Sequence, residues 1–132
     1  MRSINWNIAL TILAGFVVLS ACSGNSKSET RIGPDTFKEK LEETRGVVID
    51  VRTVDEFQRG HLALADYNSD LLNGDFEAQL DSLPKDDTYY LYCRTGNRSG
   101  QAAEMMKNRG FKEVFNVGGY QELVGSGFDS AE

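Results

Sequence analysis

Tyr89-Tyr90-Leu91-Tyr92-Cys93-Arg94-Thr95-Gly96-Asn97-Arg98-Ser99 is the stretch on which the reading of this chain turns. Thr88 to Tyr92 is a strand rich in aromatic and apolar side chains, and Gln101 to Arg109 reads as a helix. Cys93 therefore stands at a strand end, in a short loop that feeds a helix N-terminus. Backbone N–H groups at a helix start lack intrahelical partners and favour negative charge. Arg94 and Arg98 add two fixed positive charges. Such surroundings lower a thiol's pKa and favour the thiolate nucleophile. A cysteine at a strand end can instead be inert packing. Two arginines and a glycine within the next five positions argue against that, because an apolar packing site does not recruit them.

Outward from this loop, strands and helices alternate. Pro34 fits the first position of a helix running to about Arg45, with Phe37 and Leu41 on its apolar face and Gly46 as its stop. Val47-Val48-Ile49-Asp50-Val51 is the nearly continuous apolar run of a central parallel strand. Thr53-Val54-Asp55-Glu56 matches a capping box, which starts a short helix ending near Gly60. Asp75 is expected to cap another short helix through Leu83, with Phe76 and Leu80 facing inward. Ser99 or Gly100 begins the longest helix, and Gly110 ends it. Glu113 to Val117 is a strand, and Gly118-Gly119 opens a last helical segment to about Val124. The alternation implies an α/β fold whose central parallel sheet is flanked by helices. Ligands of such sheets bind beyond the carboxyl ends of the strands, where both Asp50 and Cys93 sit.

The front of the chain addresses location. Met1-Arg2 supplies a positive start, and Ile8 to Leu19 is an apolar run too short to span a membrane, which takes about 20 residues. Leu19-Ser20-Ala21-Cys22 resembles the bacterial lipobox, which implies cleavage before Cys22 and lipidation of that cysteine. Residues 1–21 are then the lipoprotein signal peptide. Residues 22–31 are the lipidated cysteine and a flexible polar tether, and 32–128 are one compact domain. The expected location is extracytoplasmic, on a bacterial membrane, either facing the periplasm or on the outer membrane.

Composition narrows the chemistry. The chain has 132 residues, two cysteines and one histidine. With Cys22 lipidated, Cys93 is the only free thiol, which excludes a C-x-x-C dithiol mechanism. One cysteine and one histidine do not fill a tetrahedral zinc shell, so no metal or other cofactor is expected. The formal net charge is −6, and cleavage would remove Arg2 as well. An acidic chain lacks the basic face of a nucleic-acid binder. Against that background Arg94 and Arg98 beside Cys93 stand out as a local anion site.

Five segments, Asp50-Val51-Arg52, Glu56-Phe57, Gly60-His61-Leu62, the loop Cys93 to Ser99, and Gly118-Gly119, resemble the rhodanese domain family in order and spacing. The match runs from about Ile32 to Phe128. The resemblance implies that Cys93 accepts a sulfane sulfur from thiosulfate or a persulfide donor, holds it as a persulfide and passes it to a thiophilic acceptor. It implies that Arg94 and Arg98 bind an anionic donor such as thiosulfate and hold the loop, with Thr95, Gly96 and Asn97 completing the binding loop. Asp50, Arg52, His61 and Ser99 are then structural supports of the site. The acceptor would be a protein or a low-molecular-weight thiol. Four residues separate Cys93 from Arg98. Protein-tyrosine phosphatases place five residues between their cysteine and arginine, so the cradle here is smaller and suits a terminal persulfide sulfur held by converging N–H groups. A persulfide carrier that receives sulfur from a partner protein is the second reading. The chain departs from the family after Gly60-His61-Leu62, where Leu64 replaces a usual glycine and the segment is shortened. That departure leaves the third strand open.

Overall fold

The structure is a computed structural model that describes residues 30–132. The expected signal segment, Cys22 and the tether up to residue 29 lie outside the described residues. Among the described residues, twelve short elements follow one another. They are α1 (Pro34–Glu43), β1 (Val47–Asp50), α2 (Val54–Gln58), β2 (His61–Leu62), β3 (Tyr67–Asn68) and α3 (Asp75–Gln79), then a single 3₁₀ turn (Leu80–Ser82), and then β4 (Thr88–Cys93), α4 (Asn97–Asn108), β5 (Glu113–Gly119), α5 (Tyr120–Gly125) and β6 (Ser130–Ala131). The main sheet is wholly parallel, in the order β3-β1-β4-β5. The α/β architecture read from the alternation of elements is therefore the architecture observed.

Its two faces carry separate cores, as a parallel sheet covered on both sides requires. On one face Ile49, Val51, Tyr89 and Leu91 meet Phe76, Leu80, Ala102, Ala103 and Met106. On the other Val48, Tyr90 and Tyr92 meet Phe37, Leu62, Val117 and Leu123. The period-2 alternation of strand side chains puts Tyr89 and Leu91 on one side and Tyr90 and Tyr92 on the other. Tyr90 also donates from its hydroxyl to the Thr44 carbonyl at 2.9 Å, which ties β4 to the end of α1.

Parallel register carries the strand ends to one edge. Asp50 lies opposite Tyr92 and Cys93 opposite Gly119. The pairing of β4 with β5 shifts by one residue between Leu91 and Tyr92, so that Leu91 faces Asn116 and Tyr92 faces Gly118. This bulge inserts Val117 and re-aims the side chains around it, the usual effect of an extra residue in one strand.

Local expectations were met where a side chain acts on its own backbone and missed where tertiary contacts intervene. Thr53 caps α2 in a full capping box with Glu56. Asp75 is not a cap: Gly74 holds that position with a left-handed φ of 92°, and Asn73 Oδ1 accepts from the Asp75 N–H at 2.9 Å. The helix then tightens into the 3₁₀ turn before Leu83. The longest helix begins at Asn97, two residues ahead of Ser99, because Gly96 takes a left-handed φ of 95° and turns the chain into α4 at once. In the segment that departs from the family pattern, the third strand survives as two residues, Tyr67–Asn68, beside Ile49 and Asp50. Asp66 supports it: its Oδ2 accepts from the Val48 N–H at 2.7 Å, and Arg45 pairs with it at 3.2 Å. A second, antiparallel pair joins β2 to β6, and Arg31 bridges to Asn116, so both flanks of the 32–128 span also pack onto the domain.

Candidate functional site

The loop after β4 wraps its backbone around Cys93 Sγ. The Gly96 N–H donates to Sγ at 3.1 Å, and Ser99 Oγ lies 3.4 Å from it. Cys93 is fully buried, while Arg94, Thr95 and Asn97 are exposed and form the rim. Burial alone would push the thiol up. The Ser99 hydroxyl and the backbone N–H groups of Ser99, Thr95 and Gly96 outweigh it, and the net effect lowers the thiol below its ordinary value. Hydrogen bonds to the charged form are what this requires. The cradle is thus built from the loop backbone and the Ser99 hydroxyl, and it favours the thiolate over the thiol.

Asn116 holds the cradle from below. It is 4% exposed and sits at the β5 bulge. Its Nδ2 donates to the Gly96 carbonyl at 2.8 Å. Its Oδ1 accepts from Ser99 Oγ at 2.7 Å and from the Gly118 N–H at 3.1 Å. One side chain therefore fixes the loop glycine, the serine and the strand end. The Ser99 hydroxyl has one proton and two neighbours that can accept it, Asn116 Oδ1 and Cys93 Sγ. Reading the sequence alone misses Asn116, because an asparagine inside a strand pattern carries no signal; its only herald is its place two residues before Gly118-Gly119. Arg31 is missed for the same reason. Its guanidinium spans from the Thr95 carbonyl, 3.3 Å, to Glu122, 3.0 Å, across the back of the loop.

Two glycines are needed for this closeness. A Cβ on Gly119 would lie 2.5 Å from the Arg94 carbonyl oxygen, backbone that cannot move aside. A Cβ on Gly96 would meet the Arg31 guanidinium in a conformation with positive φ, which side chains rarely adopt.

The other expected site residues fall into distinct places. Arg94 lies on the rim with no ion pair or side-chain hydrogen bond among the described residues. Arg98 is held by Glu56 in a two-pronged pair, Nη1 to Oε2 at 2.7 Å and Nη2 to Oε1 at 2.9 Å. Its charge still acts on Cys93 through space. The same Glu56 completes the α2 capping box, so one carboxylate locks α2 to α4. The Arg98 hydrogen bond, opposed by burial and helped by Thr53, brings the Glu56 carboxyl down to about 2. Its folded pKa is depressed, so this stabilisation is present above the ordinary carboxylate range and fades as pH falls from about 4.5 toward 2. Asn97 is exposed and its Oδ1 accepts from Gln101 at 3.3 Å; it makes no hydrogen bond to Sγ.

Asp50 and Arg52 form a buried brace. Arg52 Nη2 meets Asp50 Oδ2 at 2.7 Å and donates to the Gly60 carbonyl at 2.7 Å, and its guanidinium stacks over Tyr120 at 4.5 Å. Burial works to lower the Arg52 pKa, but the Asp50 hydrogen bond and charge carry it upward overall. The Tyr92 hydroxyl accepts from the Leu62 N–H at 3.0 Å. Burial first, and then the Asp50 charge, pushes that hydroxyl far up, so it stays neutral. His61 stacks on Phe57 with ring centroids 3.8 Å apart, and its Nδ1 lies 3.0 Å from the Phe57 carbonyl. It serves the α2–β2 turn.

Asn116 gives a direct test of how the cradle is held. Asn116→Asp removes the N–H that holds the Gly96 carbonyl and puts a negative charge beside Ser99. Both changes disfavour the thiolate. The midpoint of Cys93 alkylation by iodoacetamide against pH should move upward by about one pH unit or more. An unmoved midpoint in a folded variant would show that Asn116 does not govern the thiol.

Comparison with known proteins agrees with this arrangement. Residues 33–126 match the family model for the rhodanese-like domain. YrkF of Bacillus subtilis (strain 168), by name a candidate sulfur carrier protein, is 32% identical over 96 residues, covering 72% of this chain and 50% of its own length. The tRNA uridine(34) hydroxylase of Chlamydia muridarum is 32% identical over 108 residues, covering 78% of this chain and 33% of its own. The chain thus spans about half of the first relative and a third of the second. Among solved structures, a rhodanese with anions from E. coli superimposes with a TM-score of 0.56 at 28% identity, covering 65% of this chain and 96% of that one.

Proposed function

This chain belongs to the rhodanese-like domain family, and from that premise we propose that it is a sulfurtransferase working through a persulfide on Cys93. The observation that carries the proposal is the convergence of loop N–H groups and the Ser99 hydroxyl on Cys93 Sγ, which lowers the thiol. An inert packing cysteine needs no such donors. The Cys93 thiolate attacks the outer sulfur of thiosulfate. The sulfur–sulfur bond of the donor breaks, and sulfite leaves with its electron pair. Cys93 is left as a persulfide anion, which the same N–H groups stabilise. A thiophilic acceptor then attacks the terminal sulfur, and the Cys93 thiolate returns. A lowered thiol can give its proton to solvent before the attack, so no separate base is called for. Arg94, free on the rim, is suited to meet the donor's charge. Arg98, through its grip on Glu56, shapes the loop and adds a positive field. Intact-mass measurement tests this: thiosulfate should add one sulfur atom, and cyanide should remove it as thiocyanate.

A persulfide carrier, loaded by a protein partner and slow with small donors, is the second reading. The similarity to YrkF favours it. Slow thiosulfate loading together with fast loading from a protein persulfide would select it.

We further propose that the protein is cleaved before Cys22 and held by lipid on the outer side of a bacterial membrane. Leu19-Ser20-Ala21-Cys22 and the polar tether support that location. Stable anchoring takes more than one acyl chain. Cys22→Ala should abolish labelling by a fatty-acid analogue and release the protein from membranes, while Cys93 still loads with sulfur. An unlabelled, soluble wild-type protein with its first residues intact would overturn this location.

A further inference from the structure

A cavity of about 270 Å³ lies beside the Cys93 loop, with Arg59 and Arg94 in its wall. Arg31 lies outside that wall, at the back of the loop. Residues 30–32 run beside β5 as one more rung: the Asn116 N–H donates to the Thr30 carbonyl at 2.8 Å, and the Ile32 N–H donates to the Asn116 carbonyl at 2.9 Å. That placement brings the Arg31 side chain to the loop. Its Nη1 donates to the Thr95 carbonyl at 3.3 Å, and its Nη2 meets Glu122 Oε2 at 3.0 Å. Glu122 is held in turn, since the same oxygen accepts from the Gly119 N–H at 3.4 Å. Two glycines make room for the guanidinium. A Cβ on Gly96 would meet Nη1, and one on Gly118 would lie 3.2 Å from Nη2.

An exposed ion pair such as Arg31–Glu122 adds little to stability. Its reach into the site runs through a peptide. The Thr95 carbonyl and the Gly96 N–H belong to one planar unit and point opposite ways. The N–H end of that unit donates to Cys93 Sγ at 3.1 Å. A cation therefore sits on the carbonyl end of the peptide whose N–H end faces the sulfur. The next carbonyl, that of Gly96, is held by Asn116 Nδ2 at 2.8 Å. Two successive loop carbonyls are thus fixed, one by Arg31 and one by Asn116. The other charges around the thiol act differently: Arg98 works through space and is held by Glu56, and Asp50 is paired with Arg52.

We propose that Arg31 is a positioning residue for Cys93: it fixes and polarises the Thr95–Gly96 peptide, which makes the Gly96 N–H a stronger donor to the sulfur. The inference rests on the sulfurtransferase reading, and it adds to that site a residue from outside the 33–126 span that matches the family model. Arg31 needs no contact with the sulfur donor to act in this way.

Arg31→Met tests this by removing the charge and the N–H groups while keeping a side chain of similar reach. Arg31→Lys keeps a charge and a donor. Arg45→Gln is the control, an equal loss of charge beside Asp66 at the other edge of the sheet. Two quantities are read: the pH midpoint of alkylation by iodoacetamide, resolved at Cys93 by peptide mass, and the amide proton resonance of Gly96. A dispersed amide spectrum establishes that each variant is folded, and Arg31→Gln serves as the neutral variant if Arg31→Met does not fold. The midpoint should rise by roughly half a pH unit or more in Arg31→Met. The Gly96 amide proton should move upfield, as for a weakened hydrogen bond, and Arg31→Lys should recover part of both changes. Arg45→Gln should change neither. A wild-type midpoint in the folded neutral variant overturns the proposal. A raised midpoint with the Gly96 resonance unmoved also overturns it, because the charge then acts on the sulfur without the peptide. An equal rise in Arg45→Gln does the same by making the effect one of net charge. If the wild-type protein takes no sulfur from thiosulfate or from a persulfide, the sulfurtransferase reading falls and takes this inference with it.

Discussion

Cys93→Ser should remove sulfur loading completely. The variant treated with thiosulfate should show no added sulfur by intact mass, and cyanide should then release thiocyanate only at background. The reason lies in the acid strength of the nucleophile. The cradle lowers the thiol against the opposing effect of burial, and so favours the thiolate. A serine hydroxyl starts many units higher, and no base stands beside it to take its proton. The fold should survive the change, because the oxygen is smaller than sulfur and the Gly96 N–H that donates to Sγ can donate to it instead. A thermal melt close to wild type would confirm that the loss is chemical. Loading that persists in the variant would place the sulfur elsewhere and end the assignment.

The second large effect is on stability. Asp50→Ala leaves the Arg52 guanidinium, 4% exposed, without its carboxylate partner. The Arg52 backbone N–H also loses its acceptor, Asp50 Oδ1 at 2.9 Å. Removing one member of a buried ion pair typically costs about 3–5 kcal/mol, because the remaining charge is stranded away from water. Small domains have only about 5–15 kcal/mol in total. The urea midpoint of the variant should fall by a large fraction of the wild-type value. The double variant Asp50→Leu with Arg52→Met should recover much of the loss, since it removes both charges together. A lone Asp50→Ala as stable as wild type would mean that the brace is not holding β1 to the Gly60 turn. The effect on activity should follow from the same geometry. Arg52 touches Gly60 and Tyr120, both on the wall of the cavity beside the loop.

These two residues show different degrees of legibility. Cys93 was plain from its neighbours, because a strand, a loop with two arginines and a helix start are all local signals. The local devices around it were equally plain: the Thr53 capping box, Pro34 at the start of α1, and the inward Phe76 and Leu80. Asp50 and Arg52 were recognisable as a supporting motif, but their partners were not. Gly60 and Tyr120 come from separate parts of the chain, and only folding brings them onto one guanidinium. Arg98 was legible as a residue that helps hold the loop, but its partner was not: in the fold it is gripped by Glu56, a residue 42 positions earlier that the sequence explains as a helix cap.

What the sequence determined by itself was the alternation of strands and helices, the parallel sheet they must form, and the cysteine at a strand end. Each follows from hydrophobic period and short-range geometry, which act over a few residues. What only the tertiary structure decided was how that cysteine is held. The β5 bulge places Asn116 under Gly96 and Ser99, Arg31 closes over the back of the loop, and Arg59 joins Arg94 across one cavity. A hydrogen bond or charge pair between distant residues leaves no mark on the local pattern of either partner. It depends on strand register and on which neighbour has already taken each charge, and both are settled only when the chain packs.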